Sequence, residues 1–146
     1  MRVVLQRVKR AAVSVSGKDV VSIGKGFLLL VGVGKSDTAG TAAAMAAKIG
    51  KLRVFEDDRG KMNLSLKDVG GAVLSVPQFT LLGITDKGNR PGFDLAAPPP
   101  EAETLWKRFN ETLRREGIGV SEGRFGKHME VNLVNDGPVT FVLDSK

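Results

Sequence analysis

Residues 13–34, VSVSGKDVVSIGKGFLLLVGVG, decide the fold. Val13 and Val15 alternate with Ser14 and Ser16, the period of a half-buried strand. Gly17, Lys18 and Asp19 supply a turn, and the strand pattern resumes from Val20 to Ile23, so a hairpin is predicted. Residues 26–34 are a continuous apolar run bounded by glycines, which reads as a strand buried on both faces. Ser36 or Asp37 is then placed to cap a helix carrying Ala42, Met45, Ala46 and Ile49 at helical spacing. Residues 52–55 return to strand, residues 56–63 carry turn chemistry, and residues 72–76 form another apolar strand ended by Pro77.

The second half of the chain repeats these signals around a long irregular stretch. Residues 83–100 hold four of the six prolines and read as a long loop, a common home for function in compact domains. A helix is predicted over about 101–116, with Leu105, Trp106, Phe109 and Leu113 on its apolar face and Gly117 at its C-terminal cap. Met129, Val131 and Leu133 alternate with polar residues, as do Val139, Phe141 and Leu143, which gives two strands separated by Asn135-Asp136-Gly137-Pro138. The expected architecture is one α/β domain over residues 1–146: largely antiparallel, two-sheet and barrel-like, with two main helices.

Composition narrows the chemistry. The chain has 146 residues, no cysteine and 42% hydrophobic residues, which excludes a disulfide framework, a thiol nucleophile and a thiolate metal site. The apolar run at residues 27–31 is far too short to span a membrane, and the opening MRVVLQRVKR lacks the apolar core of a secretory signal. No membrane association and a cytoplasmic location are expected. Residues 1–35 hold seven basic residues against one acid, so the whole net charge of +6 arises there. Such an excess suits a polyanion such as RNA, and Arg7, Lys9 and Arg10 are its candidate contacts, on charge alone.

Few residues carry reactive chemistry. His128 is the single histidine, stands outside any motif, and reads as an exposed or hydrogen-bonded side chain. Residues 32–36, GVGKS, lack the first glycine of a phosphate loop because position 29 is Leu. Asp57-Asp58 fits a turn better than an acid–base pair, since sequence neighbours rarely face one atom. Two stretches remain: Pro77-Gln78-Phe79-Thr80-Leu81, rich in hydrogen-bonding groups, and Asn135 to Thr140, where Gly137 allows close backbone approach to a ligand.

With MRVVLQRV at the start, RVFEDDRGKMNLSL, QFTL, KGNRPGFDLAAP and NDGPVTF near the end, the chain resembles the D-aminoacyl-tRNA deacylase family along nearly its whole length. It departs from the family pattern at Pro77 and Gly92, where serine is usual. The resemblance implies a homodimer whose partners are the 3′-terminal adenosine and D-amino acid of aminoacyl-tRNA; the residues themselves suggest no cofactor and no metal. It implies hydrolysis of the ester to a D-amino acid, or to mischarged glycine. Gly137-Pro138, cis in the family, would enter the partner subunit's pocket and reject L side chains. Gln78 and the backbone of Phe79 would line the pocket, and Met129 would wall it. For the chemistry, the family offers either Thr80 as nucleophile or the tRNA 2′-hydroxyl as activator of water. The residues favour the second, because Thr80 has no evident base. A non-catalytic RNA-binding module is the main rival; it would need stacking aromatics, and there is no tyrosine and one tryptophan.

Overall fold

A computed structural model describes the backbone of residues 1–146 and every side chain except those of Asp19 and Val20. Asp19, the one acid counted in the basic segment, therefore lies outside the described side chains. The strands are β1 (Arg2–Val15), β2 (Lys18–Ile23), β3 (Gly26–Gly32), β4 (Arg53–Glu56), β5 (Met62–Ser65), β6 (Ala72–Pro77), β7 (Gly119–Glu122) and β8 (Glu130–Asp144). Two helices, α1 (Ala39–Lys51) and α2 (Pro99–Arg115), complete the α/β domain.

Six strands form one sheet in the order β2-β1-β3-β6-β7, with β8 on the other side of β1, and β4 and β5 form a small second sheet. The long strands β1 and β8 make this sheet nearly close. The first half of β1 lies between β3 and the end of β8, and its second half between β2 and the start of β8. One strand thus serves two sets of neighbours, and the sheet wraps into a barrel-like form. Two pairings, β3 with β6 and β6 with β7, are parallel.

Apolar patterning explains the layers. Phe27, Leu29 and Val31 of β3 face a core shared with α1 and α2, where Ala46, Ile49, Phe109 and Leu113 are fully buried. Leu28 faces a second core inside the curled sheet with Val8, Val13, Leu74 and Val76. Both faces of β3 are covered, which is why its sequence runs apolar without alternation.

Three local expectations are corrected. The N-cap of α1 is Thr38, not Ser36 or Asp37; it forms a reciprocal capping box with Thr41. Asp37 is buried instead, and its carboxylate accepts from the Gly34 amide at 2.7 Å and from the Met1 nitrogen. Residues 130–144 are one strand rather than two, because pairing with β1 continues on both sides of the Asn-Asp-Gly-Pro segment. Strands β5 and β7 were not expected at all; each is four residues long, too short for a periodic signal. The Asp57 turn is as expected. Its carboxylate accepts from the amides of Lys61 and Arg59 and from Asn63, and these bonds hold its pKa below the usual value. No helix is long and apolar enough to cross a membrane.

Candidate active site

The site begins where β6 ends. Pro77 is still in register with Val31, and the Gln78 amide donates to the Val31 carbonyl at 2.8 Å, so the chain leaves the sheet only after Gln78. It then turns into a short 3-10 helix, Phe79–Leu82. Gly32 makes room for that turn: a Cβ there would stand 2.5 Å from Leu82 Cδ2 and 3.0 Å from the Gln78 carbonyl oxygen. The turn aims Gln78 Nε2 at Thr80 Oγ1, to which it donates. Phe79 stays 57% exposed and meets Phe93 of the long loop edge-on, ring centroids 5.0 Å apart.

These residues border a cleft of 760 Å³. Val31, Val33 and Val76 give it an apolar floor, and the loop at Ala96 and Ala97 closes one side. Trp106 of α2 forms the back, held by donation from Nε1 to the buried Ser75 hydroxyl at 2.8 Å. Phe125 packs obliquely on Trp106, centroids 6.0 Å apart. Met129, Lys127 and His128 complete the rim together with Gln78 and Phe79. A cleft of this kind, apolar with a few convergent polar groups, is an ordinary ligand site.

The sequence candidates divide into two sets. Gln78, Phe79 and Met129 line the cleft, and Thr80 adjoins it through Gln78. Gly137 and Pro138 do not line it; they stand exposed on a bulge of β8, where Asp136 to Val139 lie opposite the single residue Arg7. The Gly137–Pro138 peptide is cis, and Gly137 has φ +149°. The bulge is braced from inside. Asn135 Nδ2 donates to the carbonyls of Arg7 and Val139, at 2.9 and 3.1 Å.

Arg7 must be corrected. It is 5% exposed, so its guanidinium does not offer itself to a polyanion. Its Nε donates to the Asp136 carbonyl at 3.0 Å and its Nη1 to the Val54 carbonyl at 2.7 Å, with the Asp136 carboxylate 3.5 Å away. Charge counting cannot separate a buried brace from a surface contact. Lys9 and Arg10 are exposed on β1, as a surface role requires. Arg7→Met is expected to destabilise the protein by about 3 kcal/mol, because buried carbonyls and a carboxylate lose their partner. Urea denaturation of the variant against wild type checks this.

Sequence reasoning missed three residues. His128 is exposed as expected, but it lines the cleft instead of lying apart from it. Trp106 reads only as part of an apolar helix face and Phe125 draws no reading at all, since nothing local distinguishes a cleft wall from a core. The Gly-Lys-Ser segment is no phosphate loop: Gly34 bridges to Ala96, and the Lys35 amide donates to the Leu95 carbonyl at 3.0 Å. Among the described residues there is no group of three or more metal-ligating side chains.

The chain is similar to known proteins over nearly its whole length. A family model described as D-Tyr-tRNA(Tyr) deacylase matches residues 4–144. A D-aminoacyl-tRNA deacylase of Symbiobacterium thermophilum is 54% identical, over 100% of this chain and 97% of the relative. One from Bacillus licheniformis is 56% identical, over 100% and 99%. Among solved structures, a c-Myc DNA unwinding element binding protein superposes with a TM-score of 0.93 at 42% identity, covering 100% of this chain and 99% of that one. A probable eukaryotic D-amino acid tRNA deacylase superposes with a TM-score of 0.81 at 20% identity, covering 97% of each, and so shares the fold.

Proposed function

The chain belongs to the D-Tyr-tRNA(Tyr) deacylase family, and from that premise we propose that it hydrolyses the ester of D-aminoacyl-tRNA by excluding L-aminoacyl groups rather than by gripping D side chains. It is a hydrolase acting on aminoacyl-tRNA. The observation that carries the proposal is the separation of Gly137-Pro138 from the cleft of its own chain. The motif is exposed, braced by Arg7 and Asn135, and free to enter the cleft of a second copy. In such a homodimer its carbonyls accept from the substrate's α-ammonium, and an L side chain runs into backbone. Rejection by a rigid wall leaves the D side chain unread, so D-Tyr, D-Phe and D-Asp esters, and glycyl-tRNA, are all substrates.

The terminal adenosine occupies the apolar cleft, with Gln78 and the Phe79 amide at the ester. The first N–H groups of a 3-10 turn have no partner within it, so they are available to the developing oxyanion. Thr80 Oγ1 accepts from Gln78 Nε2 and has no base beside it. The tRNA 2′-hydroxyl, adjacent to the ester, therefore activates water, and positioning does much of the remaining work. The reaction takes place in the cytoplasm, where aminoacyl-tRNA is used.

Hydrolysis of D-Tyr-tRNA and L-Tyr-tRNA in parallel, corrected for spontaneous loss, tests this. Rapid loss of the D ester alone is expected. Equal loss of both esters makes the protein a general esterase, and binding without loss of either makes it an RNA-binding module. In the same assay Thr80→Val is expected to lower kcat by less than about tenfold. A fall beyond about a thousandfold, roughly 4 kcal/mol, would make Thr80 the nucleophile.

A further inference from the structure

Resting on the deacylase reading above, we infer that residues 124–128 form the phosphate-facing rim of the cleft, where Arg124 and Lys127 hold the RNA backbone just before the terminal nucleotide. These residues, Arg124-Phe125-Gly126-Lys127-His128, lie in the connection from β7 to β8. They form a tight turn: the Lys127 amide donates to the Arg124 carbonyl at 3.3 Å, and Gly126 has φ +70°. Both ends are anchored in the site. The Gly123 amide donates to the Ser75 carbonyl at 2.9 Å, and the Arg124 amide to Met129 Sδ at 3.2 Å. Phe125 is held against Trp106 at the back of the cleft. The turn is thus fixed relative to the cleft before any ligand arrives.

What the turn presents is positive charge without internal use. Arg124, Lys127 and His128 are exposed, and among the described residues none of their side chains has an ion pair or hydrogen bond. No acid lies within the turn. The acid just before it, Glu122, is paired with Arg114 at 2.7 Å. Lys127 and His128 line the cleft itself, as do Gln78 and Phe79.

The chemistry of the substrate then selects the ligand. An aminoacyl ester has no free carboxylate and carries an α-ammonium, which two nearby cations repel. The anions left to meet this rim are backbone phosphates. In the proposed dimer, cations at this rim and the carbonyls of the inserted Gly-Pro motif at the ester give the substrate a single polarity: RNA enters over residues 124–128, and the aminoacyl group lies toward Gln78 and Thr80. Arg and Lys at such a rim act on affinity and orientation, not on the bond being broken.

The test is the binding of a fluorescent RNA hairpin with a single-stranded 3′ end, measured from 50 to 300 mM KCl. The double variant Arg124→Gln/Lys127→Gln is compared with a control of equal charge change on the exposed β4–β5 turn, Arg59→Gln/Lys61→Gln. Two lost phosphate contacts are expected to weaken Kd about tenfold at low salt and to flatten the plot of log Kd against log salt by about 1.4. An unchanged slope, or an equal change in the control, overturns the rim. Deacylation by wild type is followed in parallel, so an inert wild type counts against the reaction, and an unchanged slope with active enzyme counts against the rim alone.

Discussion

Gly137→Ala is expected to lower kcat/KM for D-Tyr-tRNA by at least about a hundredfold, roughly 2.7 kcal/mol, while the protein stays folded. Gly137 has φ +149°, which side-chain-bearing residues rarely adopt, and a Cβ there would lie 2.5 Å from the Val139 amide nitrogen and 2.6 Å from Val139 Cγ2. Val139 is 7% exposed and cannot swing aside. The bulge must therefore move, taking with it the carbonyls proposed to hold the substrate's ammonium. Because the motif is exposed, the cost in stability should be small, about 1–2 kcal/mol. Adding Val139→Ala removes the contact with Cγ2 but not the one with backbone nitrogen, so it should not restore activity. The measurement is single-turnover deacylation with a thermal melt of each variant. Wild-type rate and wild-type D-over-L ratio in Gly137→Ala would remove the motif from the mechanism.

The second large effect concerns folding. Gly26→Ala is expected to cost more than about 4 kcal/mol and to leave little folded protein at 37 °C. Gly26 opens β3 and pairs with Ala72 of β6 and Val8 of β1. A Cβ there would stand 1.8 Å from the Ala72 carbonyl oxygen and 2.8 Å from its carbon and nitrogen. All three are backbone atoms at the paired starts of β3 and β6, so relief requires parting two strands. Gly24, two residues earlier, has nothing within 4 Å of such a Cβ, and Gly24→Ala should change stability by less than about 1 kcal/mol. Denaturation curves of the two variants decide the matter. Near-equal midpoints would show that the approach of β3 to β6 is loose.

The patterns that were readable are those written in neighbouring residues. Alternation at 13–16 and 139–143, the unbroken run at 26–34, and the Leu105, Trp106, Phe109 and Leu113 stripe appear, within one or two residues at their ends, as the strands and helix that their periods require. The errors share one cause. Asn-Asp-Gly-Pro has turn chemistry, yet β1 pairs on both sides of it, and long-range pairing outweighs local preference. Arg7 looks like any surface cation until the segments at Val54 and Asp136 close over it. His128 carries no motif, and only the anchoring of its turn on Ser75 and Met129 brings it to the cleft.

From the sequence alone came the α/β class, the order of the main elements, the exclusion of thiol chemistry, and the two motifs with their family. The period of apolar residues and the identity of reactive groups are local properties, so a linear reading suffices. Tertiary structure alone decided which of those groups share a site. It put Gln78, Phe79, Trp106 and Met129 around one cleft, set Gly137-Pro138 apart on a braced bulge, and turned Arg7 inward. A cleft is made of contacts between segments distant in the chain, and whether a cation is a brace or a hand for RNA depends on what the rest of the fold lays over it.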